Sequence, residues 1–221
     1  NVYCPNDREE AERHEYRRCF FELLRHCVAR LRGGHRHVFI VGDFNVTPEP
    51  IDHCDYAREA ERLGVYGEQV TLHLALTDGT DSASGPIANP SELTVDQARL
   101  LTTFYDPQEK PMRAWFARWL RRDAITDCFR HFHPTAIARY TCWNTLVNAR
   151  ASNHGTRIDT VLYAGADAAV VLGCDQMNGY AGSDHCPVFV DFDIAGLPQG
   201  TARSRQSKLT SFFSSAAVTS N

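Results

Sequence analysis

The chain has 221 residues, 43% of them hydrophobic and 23% charged, and a formal net charge of −4. Length and composition suit one soluble domain, or a domain with a tail, and no apolar run approaches the length of a membrane span. The acidic balance gives no global sign of nucleic-acid binding, although a local basic face can coexist with it. Eight cysteines, at 4, 19, 27, 54, 128, 142, 174 and 186, form neither a C-x-x-C pair nor a zinc-finger spacing. They read as buried free thiols of a reducing compartment.

In chain order, "NVYCPN" (1–6) reads as the end of a strand and the loop after it, so the domain is expected to be under way already at Asn1, as in a fragment. From Glu9 to Leu31 the apolar positions Tyr16, Phe20, Leu23, Leu24, Cys27, Val28 and Leu31 form a helical stripe, closed by Gly33 and Gly34. "HVFIVGDFN" (37–45) is a β-branched and aromatic run that predicts a buried strand with polar groups at its C-terminal end. "YAREAERLG" (56–64) predicts a short helix, and residues 77–92, rich in Gly, Ser, Thr, Asp and Pro, predict an insertion loop. "PMRAWFARWLRR" (111–122) predicts a helix with Met112, Trp115, Phe116 and Trp119 as an aromatic core stripe. "ITDCFRHFHP" (125–134) fits no single element. "TRIDTVLYAG" (156–165) predicts a strand with an internal Asp, and the alternation of Val188, Val190 and Phe192 predicts the last strand. After Gly196 the hydrophobic pattern stops, and a polar, then Ser-rich tail is predicted to be disordered. Helices alternating with strands give an α/β or α+β class.

Three strand-like runs carry polar groups where a buried strand should not: Asp43 with Asn45, Asp159, and Asp184 with His185. An unpaired buried carboxylate is costly, so each demands a partner, a metal or water. Taken singly, each has a bland explanation. Asp43 can cap a turn, Asp159 can pair with Arg157 or Arg139, and His185 can be satisfied within a core. Taken together, groups at the ends of several strands converge on one rim. Hard oxygen ligands plus an acid/base group suit Mg²⁺ or Mn²⁺ and metal-assisted phosphodiester hydrolysis, and suit a zinc site or a serine triad poorly.

The segments "NVYCPN", "GDFNVTPEPIDHCD", "YTCWNTLVNARASNHGTRIDTVL" and "GSDHCPV", in that order, resemble the exonuclease III / AP endonuclease family of the endonuclease–exonuclease–phosphatase superfamily over roughly residues 1–194. The resemblance implies a four-layered α/β sandwich of the DNase I-like type, two sheets face to face with helices outside. Residues 1–195 would be the C-terminal portion of that domain, incomplete at the N-terminus. It implies a Mg²⁺ or Mn²⁺ site involving Asp43, Asn45, Asp184 and His185. Asp43 would handle a proton of the attacking water or the leaving group, and Asn45 would orient that water. Asp159 and His185 would form a dyad facing the phosphate. Tyr3 and Asn6 match a phosphate-contacting "Y-x-P-N" loop. Trp143, Asn148 and Arg150 match a DNA-facing loop, with core packing as the alternative for Trp143. The family's other metal-site residues, an Asn and a Glu on earlier strands, have no counterpart and are expected upstream of Asn1. The chain by itself is therefore expected to be inactive.

Cys142 and Thr156 stand where efficient AP endonucleases resemble one another in placing aromatics. The substitutions are similar to those of the AP endonuclease 2 branch. That branch implies weak AP endonuclease but stronger 3′–5′ exonuclease and 3′-phosphodiesterase activity in base excision repair. Its implied substrate is double-stranded DNA with abasic sites or blocked 3′ ends, in the nucleus, for a monomer with no membrane partner. Within 196–221, "QSKLTSFF" resembles a box that binds the sliding clamp PCNA, through Gln206, Leu209, Phe212 and Phe213. No Cys/His set for the branch's zinc-binding module follows it. Two other readings stay open: a superfamily phosphatase of inositol lipids or sphingomyelin, which would lack the "NAR…GxRID" segment, and an inert clamp-binding fragment.

Overall fold

The computed structural model describes residues 1–6, 11–77 and 93–193. Residues 78–92 of the expected insertion loop lie outside the described residues, as does the 196–221 tail with Gln206, Leu209, Phe212 and Phe213.

A central sheet is built around two antiparallel neighbours, β2 (Phe39–Asp43) and β6 (Asp159–Tyr163), with Ile40 opposite Leu162 and Asp43 opposite Asp159. β1 (Val2–Tyr3) adds in parallel to β2 and sets Tyr3 opposite Asp43. β3 (Thr126–Asp127) pairs with the other side of β6, so the order across the sheet is β1-β2-β6-β3. Because paired residues share a face, this register puts Tyr3, Asp43 and Asp159 in one row across three strands. Gly42 has φ 140°, and a Cβ there would lie 1.9 Å from the Val2 carbonyl oxygen. Only glycine lets β1 approach so closely.

Both faces of β2 and β6 are covered, which explains their unbroken apolar runs. On one face Ile40 and Leu162 meet Phe21 and Val28 of α1 (Ala11–Gly34) and Met112, Phe116 and Trp119 of α5 (Pro111–Arg122). On the other, Phe39, Val41, Val161 and Tyr163 meet a ribbon of β7 (Val171–Gln176) and β8 (Val188–Phe192). Helices, sheet and ribbon thus stack as three layers among the described residues. Between β2 and β3 in the chain lie α2 (Cys54–Leu63), α3 (Gly67–Thr77) and α4 (Val95–Phe104), which close a second cluster around Ile51, Val70, Leu101 and Phe104. α5 serves both clusters, with Ala114 and Ala117 facing the second. The short helix α6 (Cys128–Phe132) begins where Asp127 accepts a hydrogen bond from Arg130 N at 3.2 Å. The ambiguous 125–134 run is therefore β3 followed by α6. A last two-stranded ribbon joins β4 (Cys142–Trp143) to β5 (Gly155–Thr156).

Helix α1 departs from the expected stripe. Its buried positions are Arg17, Phe21 and Val28, whereas Tyr16, Leu23 and Leu31 are exposed. Arg17 is buried because its guanidinium donates to the carbonyls of Pro5 and Asn45, at 3.0 and 2.9 Å. All eight cysteines are free, but Cys19 and Cys27 are exposed and Cys54 and Cys142 half-buried, so the buried-thiol reading holds for four of them.

A buried ion cluster joins these parts. Arg157 donates to Asp52 at 2.6 and 2.9 Å and to Asp127 at 3.2 and 2.8 Å. Arg130 also binds Asp52, and Arg157 N donates to the Asp52 carbonyl at 2.9 Å. Burial alone would raise the Asp52 carboxyl pKa, but the guanidiniums of Arg130 and Arg157 outweigh it and hold the group below its ordinary range. Replacing Arg157 by Met would leave buried carboxylates short of a partner. We expect a loss of about 3–5 kcal/mol in urea unfolding at pH 7. The depressed Asp52 carboxyl makes its contribution above the unfolded pKa of about 4, and that contribution is lost as pH falls below it. The gap between wild type and Arg157→Met should therefore narrow on acidification below about pH 4.

Candidate functional site

At one end of the central sheet, four side chains meet. Asp43 terminates β2, and Asn45 follows it in the left-handed region at φ 50°, a conformation asparagine tolerates. Asn45 N donates to Asp43 Oδ1 at 2.8 Å, and Asn45 Nδ2 donates to Asp43 Oδ2 at 3.1 Å and to the Cys4 carbonyl at 2.8 Å. The bland explanation for Asp43, a turn cap, is thus one part of its geometry. Asp159 opens β6, its backbone N–H bound by Thr141 Oγ1 at 3.0 Å. His185 Nδ1 lies 2.8 Å from Asp159 Oδ2. Potential ligand atoms of Asp43, Asp159 and His185 all lie within 4.8 Å of one another.

Neither Arg157 nor Arg139 pairs with Asp159, contrary to the simpler expectation. Arg157 is committed to Asp52 and Asp127, and Arg139 binds Asp175. Asp159 is left to the imidazole. Its hydrogen bond, and secondarily Cys142 across an isolated bridge, outweigh burial and push the His185 pKa up to about 11. At neutral pH the ring is an imidazolium whose Nε2–H is a donor. Burial, with Asp159 adding to it, raises the Asp43 carboxyl pKa against the amide bonds from Asn45. Two close carboxylates and an amide oxygen are a hard donor set, and a divalent cation would offset the cost of ionising Asp43 there.

The other expected residues are arranged around this rim. Tyr3 is 72% exposed at the strand end beside Asp43. Asn6 accepts from Arg13 Nη1 at 2.7 Å. Asp184 is exposed, bonded to Ser183 Oγ at 3.3 Å, and is not part of the Asp43–Asp159–His185 group. It lies instead in a neighbouring cleft with Trp143, Asn144, Asn148 and Arg150. Asn148 is exposed, in a left-handed turn after Thr145–Val147. Trp143 takes the core alternative. It is only 3% exposed, because Tyr140, Ala149 and Cys186 pack around it and Arg150 lies 4.5 Å over its ring. Sequence reasoning passes over Thr141, which holds the Ile158 and Asp159 amides, and Leu146 and Val147, which are 93% and 71% exposed on that turn. Exposed large apolar side chains beside a polar cleft have no signature in periodicity alone.

The fold is that of known nucleases. It superposes on the Xenopus laevis APE2 catalytic domain with a TM-score of 0.55 and 28% identity, over 86% of this chain and 48% of that one. A 3′-5′ exonuclease from Neisseria meningitidis, 21% identical, shares the fold with a TM-score of 0.57 over 87% of this chain and 59% of that one. Residues 6–185 match the Endonuclease/Exonuclease/phosphatase family, and the chain belongs to it. Curated relatives include DNA-(apurinic or apyrimidinic site) endonuclease 2 of Schizosaccharomyces pombe, 32% identical over 86% of this chain, and that of Xenopus laevis, 33% over 85%. The chain spans only 29% and 32% of those relatives' lengths.

If Asp159 is what keeps His185 charged, Asp159→Asn should bring the ring's pKa from about 11 down toward the ordinary value of about 6.5. A metal-free NMR titration of the His185 ring reads this directly. An unchanged ring pKa would refute the pairing.

Proposed function

We propose that this chain contributes to a divalent-metal-dependent DNA-repair phosphodiesterase acting at abasic sites and blocked 3′ ends. The observation that carries the reading is the rim itself: Asp43, Asn45, Asp159 and His185 on adjacent strand ends, in a chain of the Endonuclease/Exonuclease/phosphatase family. The relatives named AP endonuclease 2 support DNA as the substrate.

Mg²⁺ or Mn²⁺ would be held at the rim by the Asp43 carboxylate and the Asn45 amide oxygen, with Asp184 in the neighbouring cleft and His185 bordering it. When bound, such an ion neutralises charge on the phosphoryl oxygens. The chain's own groups do the rest. Asp43, its proton affinity raised by burial, accepts a proton from the attacking water. Asn45 orients that water. The His185 imidazolium donates to a phosphoryl oxygen, and Asp159 fixes its ring. Tyr3 and Asn6 hold the phosphate from the β1 side. Asn148 meets the DNA backbone, and Leu146 and Val147 offer an apolar wedge to its grooves. Cys142 and Thr156, cross-strand partners at the rim, make a small lining that grips an abasic sugar weakly, which favours work at 3′ ends. In the tail, Gln206, Leu209, Phe212 and Phe213 dock on a sliding clamp, placing a monomeric enzyme on nuclear DNA.

Asp43→Asn and His185→Ala in the full-length gene product should each lower Mg²⁺-dependent hydrolysis of a 3′-blocked or abasic duplex by about 100-fold or more. Retention of wild-type rates by either variant would sink the assigned roles. Independently, replacing Phe212 and Phe213 by Ala should abolish clamp binding in a titration and leave hydrolysis of short oligonucleotides unchanged. Equal clamp affinity for the variant and wild type would exclude the tail as the docking segment.

A further inference from the structure

Asp184 and His185 are delivered by a loop, residues 178–183, that has no helix or strand of its own. It contains Gly179, where an added Cβ would meet nothing within 4 Å, and Gly182 at φ 107°. Such a backbone is loose unless something outside it imposes a shape. Three of its carbonyls converge on one side chain. Arg150 Nη1 donates to Ser183 O at 3.0 Å, and Nη2 donates to Asn178 O at 3.1 Å and Tyr180 O at 2.5 Å.

The guanidinium is itself held. It lies 4.5 Å over the ring of Trp143, whose Nε1 donates to Asn153 Oδ1 at 3.0 Å, while Asn153 Nδ2 donates to Ala138 O at 3.0 Å. Trp143 N also donates to Asp184 O at 2.8 Å, and Cys186 N to Thr141 O at 2.8 Å. The loop is therefore pinned at 178, 180 and 183 by Arg150, and at 184 and 186 by the strand that carries Trp143 and the residue before it. A guanidinium spreads its N–H donors in a rigid fork over three carbonyls while its flat face lies on an indole, and a lysine ammonium offers only a compact point charge there.

We propose that Arg150 is a positioning residue: it shapes the 178–183 loop so that His185 meets Asp159, instead of binding a DNA phosphate. Its catalytic consequence rests on the nuclease reading above; the loop clamp does not. Hydrogen exchange on the full-length gene product, which needs no nuclease assay, tests the clamp alone. In Arg150→Lys and Arg150→Ala, amides 178–185 should exchange about tenfold faster or more, while Val161 and Leu162 keep their protection. In the full-length gene product, kcat should fall about 10–100-fold, as for removal of other groups that orient a site. KM for DNA should stay within about threefold, and the slope of log binding constant against log salt should not change.

Unchanged exchange of 178–185 would overturn the proposal. So would a salt slope smaller by about one with kcat retained, the signature of a lost phosphate contact. If the Ala variant loses protection at Val161 and Leu162, it has unfolded globally, and the Lys variant decides. A wild-type gene product without nuclease activity would defeat the functional reading, and the exchange result would still score the clamp.

Discussion

Arg157, sealed between Asp52 and Asp127, is the constraint on which the site geometry depends. Asp52 comes from the turn before α2, Asp127 from β3, and Arg157 from the residues leading into β6. One guanidinium therefore fixes the helical segment, the sheet edge and the strand that carries Asp159, only two residues away. Such a cluster adds little net stability against an apolar replacement, but each member removed strands a buried charge. Its value is geometric. With β6 pinned at Arg157, the backbone has no freedom to slip, and a slip of one residue would turn Asp159 to the opposite face.

Downstream of that constraint, the site is a chain of dependencies. β2 and β6 place Asp43 opposite Asp159, and Gly42 lets β1 approach close enough to align Tyr3 with them. Thr141 binds the Asp159 amide and, through its carbonyl, the Cys186 amide, so one residue ties β6 to the segment carrying His185. Arg17 draws the loops after β1 and β2 together through two carbonyls. The result is an imidazolium and a carboxylate with raised proton affinity, a few ångströms apart. An imidazolium is a hydrogen-bond donor, and a carboxylate of raised proton affinity is a proton acceptor, the pairing that acid–base chemistry requires.

Much of this is legible in the sequence, for physical reasons specific to each element. α5 matches residues 111–122 because its aromatic stripe has helical spacing and Pro111 and Arg122 bound it. The strand-end acids stand out because unpaired buried charge is costly. Helix α4 escapes a reading by pattern even though "TVDQ" is a capping box, with Thr94 and Gln97 bonded reciprocally, because its neighbours on one side are loop-like in composition. The α1 stripe misleads because a period-based argument does not bury an arginine, and here Arg17 is buried for its hydrogen bonds. β7 is hidden because "VLGCDQ" mixes apolar residues with Gly and Asp. The family resemblance implies that Trp143 and Arg150 face DNA, with core packing as the alternative for Trp143. What turns them inward is a set of carbonyls that no residue pattern displays.

The fate of the arginines bears on how this surface meets DNA. Arg17 and Arg150 bind the segments that carry Asn45 and Asp184, Arg157 lies two residues from Asp159, and Arg130 shares Asp52 with Arg157, so a count of them would suggest a cationic face. Each instead binds carbonyls or carboxylates of the protein. Arg130 and Arg157 are offset by Asp52 and Asp127, so that buried cluster contributes little net positive field. The chain as a whole is acidic. Non-specific affinity for a phosphate backbone scales with the cations that displace counterions, and these four are not placed to do so. Among the described residues the rim presents groups different in kind: the amides of Asn6 and Asn148 and the His185 imidazolium. Neutral donors and a single charge favour a phosphate whose geometry matches them over any stretch of duplex. Such a surface discriminates by local geometry and contributes little long-range attraction.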